Sequence, residues 1–290
     1  MNISQQTKIA FLGMGLMGKR MSHRLLDAGF HVGVWNRTSS ACMPLIEQGA
    51  HALKLNKIQN YPIILMCLAD DQAVEQVYEQ IQDWLLPNQI IVDFSSLSVD
   101  KTLELADKAK NKQVTWIDSP VSGGTAGAEQ GSLVIFAGGD EHTIQNLTHL
   151  YQVLSQRVTR MGNTGTGQAT KICNQLIVAA NSTLIAEAVA LASQAGVDTT
   201  LLASALAGGF ADSKPFQILA PRMATHTFEP VQWKVQTLSK DLNNAIKLAK
   251  QFQLDIPVAQ HALSQLQAHQ NQGYAEADLA SVILQIQHQN

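Results

Sequence analysis

Lys171 and Asn174 close the segment Gly162-x-x-Gly165-x-Gly167-x-x-x-Lys171-x-x-Asn174. Three residues apart on a helix, they share one face. A lysine near the start of an otherwise apolar helix is costly to bury unless it is used or paired. Its stem can also snorkel and leave the ammonium in water. Beside a cofactor that carries hydride, it would be the best candidate for a general acid–base. It would protonate a carbonyl oxygen as hydride arrives, or take the alcohol proton in reverse. Asn174 would orient substrate or lysine, and Cys173 reads as a packing residue.

Upstream lies Asp118-Ser119-Pro120-Val121-Ser122-Gly123-Gly124-Thr125-Ala126-Gly127-Ala128-Glu129-Gln130-Gly131. Ser122 offers a hydroxyl donor, Gly123-Gly124 leaves backbone N–H groups unshielded, and Pro120 stiffens the entry. A carboxylate could sit there without an arginine. A plain glycine-rich connection between strands is the competing reading. Farther on, Lys240 could reach a cofactor or a substrate carboxylate, and Asp241 could partner a lysine or fix its helix. By themselves the two are an exposed ion pair.

Such groups need a reactive partner, and the N-terminus supplies one. Lys8-Ile9-Ala10-Phe11-Leu12 runs into Gly13-Met14-Gly15-Leu16-Met17-Gly18, which opens a helical stretch. This is G-x-G-x-x-G in its strand–turn–helix context. Gly13 permits the tight turn, Gly15 the approach of a pyrophosphate, and Gly18 close helix–strand packing. The helix start favours phosphates. Asn36 falls eighteen residues past Gly18, where NAD-preferring folds place an acid for the ribose 2′-OH. A neutral amide followed by Arg37 and Thr38 suits a 2′-phosphate instead, so NADP is expected over NAD. A solvent-facing arginine after a strand is the bland alternative.

The elements that must position these groups alternate in the first half. Predicted strands are 9–12, 32–35, 63–68, 90–94, 115–117 and 134–137, with helices at 19–28, 41–48, 71–85 and 99–111. That alternation predicts an α/β domain of Rossmann type, with a doubly wound parallel sheet. From residue 165 the pattern turns helical: 168–195, 201–207, 217–224, 238–252 and 256–271, broken by Pro215, Pro221, Pro230 and Pro257. The expected domains are 1–164, binding dinucleotide, and 165–290, all-helical, joined through a long helix. That helix is too apolar to be solvated on every side, which suggests a subunit contact; the core helix of a monomer is the alternative. The glutamine-rich tail is expected to fray.

The 290 residues are 46% apolar and 15% charged with net charge −3, the profile of a globular protein without a basic footprint for nucleic acid or membrane. Polar residues interrupt the apolar stretch 176–197, which argues against a membrane span. The first residues lack signal-peptide order, and Cys42, Cys67 and Cys173 suggest no disulfide framework, so a cytoplasmic location is expected. The nine histidines show no H-x-x-x-H spacing, and no metal site is expected.

Together these strings resemble the β-hydroxyacid dehydrogenase family, which includes 3-hydroxyisobutyrate dehydrogenases, tartronate semialdehyde reductases and glyoxylate/succinic semialdehyde reductases. The resemblance spans nearly the whole chain. It implies Lys171 as catalytic acid–base, with Ser122, Gly123, Gly124, Asn174, Trp233 and Asp241 around a small carboxylate substrate. It implies cofactor contacts from Gly13 to Gly18 and at Asn36, Arg37, Thr38, Leu68, Ala69, Ser96 and Lys240, and a homodimer or homotetramer built on the long helix. The sequence departs from the family at Ser96, where threonine is usual, at Gln175, where asparagine is usual, and at Pro230-Val231-Gln232-Trp233, where a phenylalanine is usual. Those departures bear on which acid is the substrate. Imine reductases lack the lysine at this position, 6-phosphogluconate dehydrogenases typically read His-Asn at Asn174-Gln175, and non-catalytic scaffolds of this fold tend to lose the lysine.

Overall fold

The computed structural model describes residues 4–287. Two compact units divide between Lys171 and Ile172, inside a helix, where the sequence expectation is a joint at 164/165.

The first unit opens with β1 (Lys8–Leu12), α1 (Leu16–Asp27) and β2 (His31–Trp35). Next come α2 (Met43–Glu47), β3 (His51–Ala52), β4 (Ile63–Met66), α3 (Asp71–Ile81), β5 (Ile90–Asp93), α4 (Val99–Asn111) and β6 (Thr115–Asp118). It ends with β7 (Val121–Ser122), α5 (Gly124–Gln130), β8 (Leu133–Gly138), α6 (Glu141–Asn146), α7 (Thr148–Leu154), β9 (Ser155–Gly162) and the start of α8 (Thr166–Gln194). The strand order is β3-β2-β1-β4-β5-β6-β8-β7, with β9 on β8. Strands β1 to β6 are parallel. Successive side chains of β1 enter opposite cores, as a period of two requires. Ile9 and Phe11 pack with Met21, Leu25 and Tyr151; Ala10 and Leu12 pack with Val74, Tyr78 and Leu105. Burial on both faces explains the uninterrupted apolar runs.

The sheet is not parallel throughout. β6 and β7 both run antiparallel to β8 in one register: Asp118↔Gly138, Val121↔Ile135 and Ser122↔Val134. Pro120 interrupts them, lacking a donor but accepting from the Phe136 N–H. β9 was invisible to periodicity because it is polar and largely exposed, on an edge. Helices α3, α4 and α6 begin with side-chain caps from Asp70, Ser98 and Asp140.

The second unit is helical. After α8 come α9 (Leu202–Leu206), α10 (Lys214–Ala224), α11 (Val235–Gln251), α12 (Pro257–His269) and α13 (Ile283–Gln287). Among the described residues it holds no strand, only an isolated bridge between Lys234 and Asp278. Pro215 and Pro221 do not break α10: Pro215 occupies the first turn, where no N–H is needed, and Pro221 lies within the helix. Before the last three residues, which lie outside the described range, the tail does not fray. Leu279, Ala280, Val282 and Ile283 are buried, and Gln285 with them. By length and apolarity alone α8 could cross a membrane. Its buried Ser182 and Thr183 are side chains of a helix packed in protein.

Candidate active site

The turn after β1 divides its glycines by role. Gly13 has φ +107°, and a Cβ there would lie 2.3 Å from the Cys67 carbonyl oxygen. A Cβ at Gly18 would lie 1.9 Å from the Gly13 carbonyl oxygen. Both are packed into the fold. At Gly15 nothing lies within 4 Å. Gly15 is also the N-cap of α1, a helix with no side-chain cap and no acid in its first turn. An open, uncapped start to a twelve-residue helix fits a pyrophosphate. Met14 is buried, Met17 half-buried, and Leu16 exposed over the turn.

Asn36 holds this turn in place. Its Oδ1 accepts from the Met14 N–H at 3.0 Å, and its Nδ2 donates to the Thr38 carbonyl at 3.0 Å. The sequence reads Asn36 only as the residue at the ribose position; the structure gives its amide to the loop. Arg37 and Thr38, next along, are exposed. No described side chain pairs with the Arg37 guanidinium.

The ends of β4, β5 and β6 are linked by buried hydrogen bonds. Half-buried Leu68 donates its N–H to Ser95 Oγ at 2.9 Å, and exposed Ala69 follows it. Ser95 N–H donates to Asp93 Oδ1 at 2.9 Å. Asp118 Oδ1 accepts from the Gly165 N–H at 2.8 Å, and Oδ2 from the Gln168 N–H at 2.9 Å. Gly167 is needed beside it, because a Cβ there would lie 2.7 Å from Asp118 Oδ2. The Gln168 amide in turn spans Ser95 and Leu97. Burial pushes the Asp118 carboxyl up to about 6 against its backbone donors. Burial likewise pushes Asp93 up to about 7, with Asp118 and Asp71 adding to it, and raises the Cys67 thiol to about 12.

The string from Asp118 to Gly131 is not a loop. Ser122 ends β7, Gly123 (φ +124°) and Gly124 (φ +62°) turn the chain, and α5 follows at once. Lys171 lies half-buried in the second turn of α8, three residues past Gln168.

In the second unit, Asn174 Nδ2 donates to Gln175 Oε1 at 3.0 Å, and Gln175 Nε2 donates to Asp241 Oδ2 at 2.6 Å. Asp241 is thus held by Gln175, one of the positions where the sequence departs from the family. Lys240 is exposed, and Cys173 is exposed rather than packed. Trp233 is 43% exposed, and its backbone is fixed by a residue the sequence did not flag. Asp278 Oδ2 accepts from the Gln232 N–H at 2.7 Å, and Oδ1 pairs with Arg222 at 3.3 Å. The sequence alone assigns no site role to Asp118, Gln168 or Asp278, and marks Gln175 only as a departure from the family. The one local signal was at Asp118, an aspartate directly after the predicted strand 115–117.

A Rossmann sheet with an open glycine turn, followed by a helical unit, defines an NAD(P)-dependent oxidoreductase. Residues 8–162 match the family described as the NAD-binding domain of 6-phosphogluconate dehydrogenase. Residues 165–286 match that described as NAD-binding of NADP-dependent 3-hydroxyisobutyrate dehydrogenase. The chain is 34% identical over 255 residues to the 2-hydroxy-3-oxopropionate reductase of Escherichia coli, covering 86% of this chain and 87% of that protein. It is 32% identical to a probable mitochondrial 3-hydroxyisobutyrate dehydrogenase-like protein of Arabidopsis thaliana, covering 96% and 84%. The 3-hydroxyisobutyrate dehydrogenase of Mycobacterium tuberculosis, solved with L-serine, superposes with TM-score 0.89 at 26% identity, covering 97% and 99%. The chain belongs to the β-hydroxyacid dehydrogenase family.

Proposed function

We propose that the chain interconverts a short semialdehyde acid and its hydroxy acid with NADP(H), using Lys171 as general acid–base. The observation that carries this reading is the placement of Lys171. It stands one turn beyond a helix start that Asp118 and Gln168 tie to the strand ends beside the glycine turn. NADPH, when bound, supplies the hydride. Gly13 to Gly18 would cradle its phosphates, Arg37 would take the 2′-phosphate, and Ser96, Leu68 and Ala69 would hold the nicotinamide end. Ser122 and the N–H groups of Gly123 and Gly124 hold the substrate carboxylate. Lys171 Nζ gives its proton to the carbonyl oxygen during reduction and regains one from the alcohol in reverse. Asn174, on the same face of α8, orients it. Trp233 and Asp241 are assigned to substrate recognition and Lys240 to the cofactor on the family resemblance.

The name of the E. coli relative supports a 3-carbon semialdehyde acid as a first substrate to try. The exposed Arg37 supports NADP over NAD. Ile177, Leu184 and Leu191 are 58%, 60% and 72% exposed and recur every seven residues along α8, which supports a homodimer or homotetramer on that face.

The test is a panel of tartronate, succinic and methylmalonate semialdehydes and glyoxylate, each with NADPH and NADH, together with Lys171→Ala. The variant should lose at least about a hundredfold in kcat with NADPH binding kept. Turnover of none of the acids, or near-normal kcat in the variant, overturns the reading. Equal kcat/KM with NADH overturns the NADP assignment.

A further inference from the structure

Gln168 has no catalytic chemistry of its own and is fully buried. Its side chain reaches more than seventy residues back in sequence. Nε2 donates to the Ser95 carbonyl at 2.7 Å, and Oε1 accepts from the Leu97 N–H at 3.1 Å. The two partners flank Ser96, so one amide brackets that residue's backbone from both sides. Only this amide orientation matches donor to acceptor at both ends. Gln168's own N–H is held by Asp118 Oδ2, and one turn later on the same face comes Lys171. Ser95 carries the bracket on, because its Oγ takes the Leu68 N–H.

We propose that Gln168 is a positioning residue that fixes Ser96 and the Lys171 turn relative to each other. The inference rests on the dehydrogenase reading above for its kinetic consequence, but its geometry does not. A shorter side chain frees residues 95–97 from α8 while leaving the glycine turn untouched. Hydride transfer is sensitive to such a shift, since a misplacement of about 1 Å can cost about a hundredfold in rate.

The test uses Gln168→Ala and the isosteric Gln168→Glu in the full chain. In the alanine variant the Leu97 amide should exchange with solvent at least about tenfold faster, because its buried acceptor is gone. The NADPH dissociation constant should change less than about twofold, while kcat falls about ten- to a hundredfold. The glutamate variant separates positioning from packing. An ionised carboxylate cannot donate to the Ser95 carbonyl, and a protonated one can. Its kcat relative to the parent should therefore recover as pH falls, and the alanine variant's should not. Unchanged Leu97 exchange overturns the bracket. Faster exchange with parental kcat, or a glutamate variant that follows the parent's pH profile, overturns the positioning role. If the alanine variant does not fold, the pH profile of the glutamate variant decides the positioning role, and Gln168→Met, which keeps the side-chain length without the amide, carries the Leu97 exchange readout. Parent protein inactive on every acid overturns the functional reading and the kinetic half of this inference, and Leu97 exchange then decides the structural half.

Discussion

Two alanine substitutions in the opening turn should separate binding from folding. At Gly15 the backbone has φ −72° and ψ −168°, accessible to any L-residue, and no atom lies within 4 Å of a built Cβ. Replacing glycine by alanine there stiffens the unfolded chain, worth about 0.4–1 kcal/mol in favour of folding. Alanine is also the poorer helix N-cap, by several tenths to about 1 kcal/mol. The two effects offset, and stability should move by less than about 0.5 kcal/mol. The new methyl occupies the open side of the turn, so NADPH should bind at least about tenfold more weakly, equivalent to 1.4 kcal/mol. Gly18→Ala should do the opposite to the fold. Its Cβ would stand 1.9 Å from the Gly13 carbonyl oxygen and 3.1 Å from the Phe11 ring. That carbonyl belongs to the turn itself and cannot swing aside. Overpacking costs about 1–3 kcal/mol, and the ~1 kcal/mol helix preference of alanine recovers only part of it. Urea unfolding of the cofactor-free protein measures the first quantity, and NADPH fluorescence titration the second. A Gly15→Ala protein that binds NADPH like the parent would show that the phosphates do not sit at this turn. A Gly18→Ala protein of parental stability would refute the packing argument.

Arg37→Ala should lower kcat/KM for NADPH at least about tenfold, the loss of a charge-assisted phosphate contact, and leave that for NADH nearly unchanged; an equal fall with both cofactors sinks the assignment. Asp118→Asn should show a pH-dependent stability difference. The folded pKa of Asp118 is raised from 3.8 to about 6, so the folded state holds the proton through that window and stability falls as pH rises through it. The variant lacks this titration, and loss of the Asp118 charge also eases ionisation of Asp93. The parent's advantage, measured by urea unfolding, should therefore shrink by about 2 kcal/mol between pH 4 and pH 7; a constant or growing difference contradicts this. Asp278→Ala leaves Arg222, which is only 13% exposed, with the Pro230 carbonyl but no counter-charge, and should cost about 3 kcal/mol. A parental unfolding midpoint would show that the pair is not needed.

The glycine turn, the strands β1, β2, β4, β5, β6 and β8 and the helical second half were legible because their signals are local. Apolar runs, a strand–turn–helix spacing and a change of period need no knowledge of neighbours. The small elements β3, β7 and α5 are too short to show a period, and the exposed edge strand β9 has no apolar alternation to show. The string from Asp118 to Gly131 showed no elements for that reason: Val121 and Ser122 pair with β8 as a two-residue strand, and the short helix α5 follows.

The candidate site divides along the same line. The sequence by itself determined which chemical groups are present: a glycine at residue 15, a neutral amide at 36 in place of an acid with an arginine after it at 37, a serine at 122, and a lysine at 171. Tertiary structure alone decided what holds them. Asn36 secures the turn, Asp118 anchors the helix start, Gln168 brackets Ser96, Gln175 engages Asp241, and Asp278 fixes the backbone at Trp233. These partners are set by a fold that brings distant strand ends and helix starts within hydrogen-bond reach. Leaving a polar group buried there without a partner is costly, and no local pattern in the chain says which partner it will find.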